Sequence, residues 1–254
     1  MARLPRVLSA DTPYHVTQRG NARQPVFESD ADRLVYLDLL RVNCRIHALS
    51  VIGYCLMDNH VHLIVLPRRP ESLPLALKLT HGRYAAYFNA RHASSGHLWQ
   101  GRYYSCPLDP PHLWAALRYT ELNPVRAGIA EFSADYPWST AAAHSALAAP
   151  ASWLDMTPFA EVWTPRNWRQ YLGQTEIAAE SDAIRQSTHT GRPLGAPDFI
   201  ARLESQLRRR LTPQKGGRPP KQRPDAIQPS LRLQPDRSGL TSRLSPGVSA
   251  ELPG

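Results

Sequence analysis

The stretch LSVIGYCLMDNHVHLIVLP, residues 49–67, constrains the fold more than any other part of the chain. Two runs rich in strand formers, 49–57 and 60–66, flank Asp58-Asn59, a pair suited to a tight turn, so the segment predicts a β-hairpin. Successive residues on a strand face opposite ways. His60 and His62 therefore share one face, while Val61 points into the other layer. Positions two apart lie about 6.6 Å apart, from a rise near 3.3 Å per residue, and imidazoles at that spacing can converge on one metal ion. The same pair also suits a half-exposed strand with one wet face. On the spacing alone both readings stand.

Elements on either side extend the pattern. PYHVTQRG (13–20) predicts a first strand ended by Gly20. A helix follows, opened by a capping box of Ser29 and Asp32, with Leu34, Leu37, Leu40 and Ile46 at helical spacing. Residues 72–91 predict a second helix with Leu73, Leu77, Tyr84, Tyr87 and Phe88 on one side. Residues 97–108 resume strand character. Pro110-Pro111 then open a third helix, which Asn123-Pro124 should stop, because a residue before proline avoids the helical region. The order β-α-β-β-α-β-α predicts an α+β fold, an antiparallel sheet with helices packed on it in a split-βαβ, ferredoxin-like arrangement.

Beyond about residue 140 the composition shifts. Residues 1–140 form the expected main domain. Residues 141–212, with Trp153, Trp163 and Trp168, predict a small helical annex ending in a basic helix over 197–211. Residues 213–254 are rich in Pro, Ser, Gly and Arg, have no aromatic residue, and are expected to be a disordered basic tail. Lys and Arg outnumber Asp and Glu 30 to 21, a formal charge of +9, which favours a polyanionic partner, nucleic acid before an anionic membrane. Cys44, Cys55 and Cys106 have neither disulfide-framework nor zinc-finger spacing. No run approaches the roughly 20 apolar residues of a membrane span, and the first residues lack a secretory apolar core. A soluble cytoplasmic protein is expected.

LRYTELNPVRAG places Tyr119 and Asn123 four residues apart, hence neighbours on a helix. They flank the apolar stripe of Leu113, Ala116 and Leu117. A helix packed by that stripe would hold both at the edge of its contact with the sheet, within reach of the histidines. On their own, the two are read more simply as a core-edge aromatic and a polar residue at a helix end before proline. Arg19, Arg23, Arg83, Arg102 and Arg118 interleave with aromatic residues, a composition suited to a nucleic-acid backbone and stacked bases. Lys215 and Arg218, in KGGRPPK, resemble the minor-groove AT-hook and serve equally as general electrostatic contacts. The spacing of His15 and His47 marks neither out.

Taken in order, YHVTQRGNARQPVF, YCLMDNHVHLIVLP, GRYAAYFNARH, GHLWQGRYYS and LRYTELNPVRAG resemble the REP-associated tyrosine transposases of the single-tyrosine HUH nuclease superfamily. YPWST (136–140) is similar to the usual end of their catalytic domain. The resemblance covers roughly residues 13–140. It implies Tyr119 as nucleophile, with His60, His62 and Asn123 holding a divalent ion, Mg²⁺ or Mn²⁺, although affinity order alone would favour Zn²⁺. It further implies metal-dependent cleavage and transfer of single-stranded DNA beside a hairpin, a REP-like palindrome, through a 5′-phosphotyrosine. Such a protein would work at the nucleoid, as a monomer, with a dimer as the alternative. Asp58 and Tyr104 depart from the family, where proline and lysine are common, and the second change removes a phosphate contact. The rival reading is a non-catalytic, structure-specific DNA-binding protein that retains the fold.

Overall fold

The computed structural model describes residues 5–212. Its centre is one open four-stranded sheet in the order β2-β3-β1-β4, built from β1 (Tyr14–Arg19), β2 (Leu49–Met57), β3 (His60–Pro67) and β4 (Tyr104–Pro107). All neighbours are antiparallel. Helix α1 (Asp30–Ile46) links β1 to β2, and α2 (Ser72–Arg91) links β3 to β4. Helix α3 (Pro110–Glu121) follows β4. This is the expected α+β, split-βαβ arrangement.

Local chemistry explains these elements. The Ser29 hydroxyl accepts from the Asp32 N–H, and the Asp32 carboxylate accepts from the Ser29 N–H at 2.8 Å, so α1 starts with two otherwise unpaired donors satisfied. The buried face of α1 differs from the expected one. Tyr36, Leu40 and Cys44 are buried, while Leu34 and Ile46 are 60% and 58% exposed. Tyr36 wins because its ring meets Phe27 and Tyr84 edge-on beneath the sheet. The hairpin turns at Asp58-Asn59, with Met57 opposite His60. Asp58, common as proline in the resembled family, here accepts from Arg33 of α1. The fourth strand is shorter than the 97–108 run. Leu98 and Trp99 fold inward instead, the indole N–H donating to the His81 carbonyl at 2.9 Å.

The two faces of the sheet have different duties. Tyr14, Val16, Val61, Leu63 and Val65 pack with α1 and α2. The other face carries Ile52 and Ile64, covered by α3 through Leu113, Ala116 and Leu117. A bulge at Ile52 brings Gly53 under α3. A Cβ there would lie 2.4 Å from a Leu117 methyl, so any larger residue would force Leu117 to shift.

Helix α3 ends at Glu121, just before Asn123-Pro124 as expected, and a separate turn of helix, α4 (Asn123–Arg126), follows after Leu122. Pro124 sits in the first turn, where its missing N–H costs no bond. The chain then adds α5 (Ala141–His144), α6 (Thr157–Val162), α7 (Pro165–Leu172), α8 (Ala178–Thr190) and α9 (Pro197–Leu207). These pack with the sheet in one compact unit. Glu121 is the joint. Fully buried, it accepts from Thr140 at 2.8 Å, from the Trp168 indole N–H at 2.9 Å and from His144 Nδ1 at 2.6 Å. All three cysteines are buried and unpaired. Among the described residues no helix is long and apolar enough to cross a membrane. The tail expected over 213–254 lies outside the described residues.

Glu121→Ala strands three buried donors, and the expected loss is about 3–5 kcal/mol, read from denaturant unfolding, with Glu121→Gln losing less. His81, buried under α2, is held at a pKa of about 3, first by burial and then by Arg6. Its folded pKa lies below the unfolded value, so stability is complete above pH 6.5 and falls as the pH drops from there toward 3. The acid limb of a Tm–pH profile is therefore expected to be shallower in His81→Gln than in the parent chain.

Candidate nucleic-acid cleavage site

The pleat aims His60 and His62 of β3 away from the α1–α2 core, and β1 places Thr17 opposite His62 and Arg19 opposite His60. The two imidazole centroids are 4.9 Å apart, closer than the backbone spacing, so the rings lean together. His60 Nδ1 lies 2.6 Å from the Asn59 amide oxygen. The Asn59 amide nitrogen donates to the Arg23 carbonyl, so its oxygen is the atom that faces His60. An amide oxygen only accepts, hence the His60 proton is on Nδ1 and Nε2 keeps its lone pair. His62 Nδ1 lies 2.9 Å from Nε2 of His15, with the rings stacked at 5.1 Å. His62 is 5% exposed, so this face is not the wet face of a half-exposed strand.

Burial sets the charge of these rings. It lowers His15 to about 3 and His60 to about 4, and drives His62 well below the ordinary histidine value, with Arg126 and Arg19 adding to the effect. All three are neutral at pH 7, the form in which imidazole binds a metal.

Tyr119 of α3 reaches the same place. Its ring centroid is 5.7 Å from those of His15 and His62, edge-on to each. Arg126 of α4 lies 4.0 Å above the ring and donates to the Tyr119 carbonyl. Nε of Arg185, from α8, donates to the phenol oxygen at 3.3 Å. Asn123 spends its amide nitrogen on the carbonyls of Tyr119 and Thr120, both at 3.1 Å. Its amide oxygen remains as an acceptor. His60, His62, Tyr119 and Asn123 all line one cleft of about 700 Å³. Among the described residues no three His, Cys, Asp or Glu side chains form a metal-holding group. A cation here would take the amide oxygen of Asn123 beside the two histidines, a mixed nitrogen–oxygen donor set.

The arginines divide. Arg19 and Arg23 line the cleft, joined by Arg185, and among the described residues no carboxylate lines it. Arg118 does not face a ligand: it is 3% exposed and donates to the carbonyls of Tyr171 and Gln174, tying α3 to α7. Arg83 is exposed on α2, and Arg102 borders a separate hollow with Lys78 and His81, both away from the cleft. Lys215 and Arg218 lie outside the described residues. Tyr104, the departure from lysine, stacks on His189 of α8 at 5.0 Å.

Sequence reasoning missed His15, Arg126, Arg185 and Thr188 as site residues. Arg126 stood in the quoted NPVRAG motif, and the alternation of β1 put His15 on the same face as Arg19. Nothing in the spacing of Arg185 or Thr188 pointed to the sheet, because only packing brings α8 there.

Residues 9–123 match the model of a family described as "Transposase IS200 like". Among solved structures, one described as a REP-associated tyrosine transposase bound to a REP hairpin aligns at 16% identity with a TM-score of 0.45, over 55% of this chain and 82% of its own. A second, a candidate transposase from Deinococcus radiodurans R1, aligns at 18% identity and TM-score 0.34, over 50% of this chain and 92% of its own. No curated protein matches the chain. Residues 9–123, the part that carries the paired histidines and the tyrosine helix, are thus similar to the IS200-like transposases.

Proposed function

We propose that the protein is a metal-dependent single-strand DNA endonuclease and strand transferase that acts beside hairpins, with Tyr119 as the nucleophile. The observation that carries this reading is the meeting of a phenol with two neutral imidazoles in a cleft lined, among the described residues, by arginines and by no carboxylate. A phosphodiester carries negative charge, so such a lining attracts it where a carboxylate would repel it.

His60 Nε2, His62 Nε2 and the Asn123 amide oxygen would hold the divalent ion, Mg²⁺ or Mn²⁺ by the family resemblance. When bound, that ion withdraws charge from a non-bridging oxygen of the scissile phosphate. The chain's own residues do the rest. Arg19 and Arg23 fix the strand across the mouth of the cleft, and Tyr104 on His189 offers a flat surface for an unpaired base. A phenol is a weak nucleophile near neutral pH. The Arg185 N–H donates to its oxygen and the Arg126 guanidinium lies over its ring, so two cationic groups stand beside the attacking atom. The Tyr119 oxygen then attacks phosphorus and gives up its proton to water, the bond to the 3′ oxygen breaks, and that oxygen takes a proton from water and leaves as a 3′-hydroxyl. The strand stays joined to Tyr119 through its 5′-phosphate. Because the ester is conserved, a 3′-hydroxyl can reverse the step and join strands without a nucleotide cofactor. Every group in this scheme comes from one chain, so a monomer suffices.

Labelled single-stranded hairpin DNA with Mn²⁺ is expected to yield an SDS-resistant protein–DNA adduct. Tyr119→Phe should lower its yield by at least about 10³-fold; an adduct of undiminished yield in that variant places the nucleophile elsewhere. His62→Ala and Asn123→Ala should lose metal-dependent cleavage while keeping hairpin affinity within about threefold, since charge rather than the ion supplies most of that affinity. Tight hairpin binding by the parent chain, with no cleavage and no response to Mn²⁺ or Mg²⁺, would instead support the binding-only reading.

A further inference from the structure

His62 has two ring nitrogens, and a cation can use only one that lacks a proton. Its Nδ1 is committed to His15, so the state of Nε2 depends on which way that hydrogen bond runs. Were His15 the donor, the His62 proton would be on Nε2, and the lone pair would be lost to the cleft. Were His62 the donor, Nε2 would be free, but His15 would then need its own proton on Nδ1 and an acceptor there. A hydroxyl that can accept there is present; the same hydroxyl donating to His15 Nδ1 would run the chain the other way, and the experiment below separates the two directions. Thr188 Oγ1 of α8 lies 2.7 Å from His15 Nδ1. His15, His62 and Thr188 are 1%, 5% and 2% exposed, so water does not compete for these bonds.

We infer that His15, held by Thr188 of the C-terminal helix α8, is a positioning residue that keeps the His62 proton on Nδ1 and turns the Nε2 lone pair toward the cleft. The chain runs His62 Nδ1–H to His15 Nε2, then His15 Nδ1–H to Thr188 Oγ1. His60 reaches the same protonation state by the local device of Asn59. The two histidines are thus set by different parts of the molecule, one by the hairpin turn and the other by a helix outside the matched residues 9–123. Arg185 and Thr188 are three apart on α8, hence on one face, so a single helix touches both the phenol and the histidine chain. The inference rests on the proposed metal site only for its consequence; the placement of the proton can be read without any ion.

The test uses the full chain with ¹⁵N-labelled histidine. In the ion-free protein, long-range ¹H–¹⁵N spectra are expected to show His62 protonated on Nδ1. Thr188→Val keeps the shape and removes the acceptor, so the His62 signals should move toward Nε2 protonation, and Thr188→Ser should restore them. Mn²⁺ titration by calorimetry should show affinity about 10–100-fold weaker in Thr188→Val and near normal in Thr188→Ser. Tyr119→Phe serves as a control with unchanged His62 signals. If His62 carries its proton on Nε2 in the parent chain, or keeps the same signals in Thr188→Val, the positioning role is overturned. If the parent shows the expected protonation and the expected response to Thr188→Val, yet binds no Mn²⁺, the proton placement stands and the metal reading of the site falls.

Discussion

Taking a carboxylate out of water costs several kcal/mol unless its oxygens find donors, and Glu121 finds three. Those donors come from three places: Thr140 beside β2, His144 on α5 and Trp168 on α7. The bonds therefore fix the rotation of α3 about its own axis as well as its position on the sheet. Leu113, Ala116 and Leu117 must face inward, over the gap that Gly53 leaves. Tyr119, two residues before Glu121, is then turned toward the open end of the sheet where β3 carries its histidines. The buried anchor and the placement of the Tyr119 phenol are two consequences of one helix orientation.

The cleft sets opposing demands beside one another. Its cationic rim suits a polyanion, yet the imidazoles beneath are uncharged. Burial resolves this, because desolvation removes the proton from His15, His60 and His62, and the neighbouring arginines reinforce it. The arginines at the phenol contact the Tyr119 carbonyl and hydroxyl and are also paired with carboxylates beyond the cleft lining, Arg126 with Glu176 at 3.5 Å and Arg185 with Asp182 at 2.9 Å.

The helices after residue 140 prove to be more than an annex. Helix α8 forms one wall of the cleft and α7 closes over the Glu121 joint. Expecting a separate small unit followed from the change of composition near residue 140, which reflects a change from sheet to helices rather than a break in packing. Arg118 teaches a related point. In sequence it is one more arginine among aromatic residues, while in space its guanidinium lies over Tyr171, within reach of two carbonyls, and ties helices together.

Local periodicities carried the order of elements, the antiparallel hairpin, the shared face of His60 and His62, and the neighbourhood of Tyr119 and Asn123 on one helical face. These follow from how side chains repeat along a strand or helix, which neighbouring residues settle among themselves. The resemblance of the ordered motifs supplied their roles. The choice of Tyr36 over Leu34 for the core, the retirement of Arg118, Arg83 and Arg102 from the cleft, and the arrival of His15, Arg185 and Thr188 were decided at longer range. Each depends on which surfaces pack together across tens or hundreds of residues, as in the contact of His15 with Thr188, and no spacing along the chain encodes that meeting.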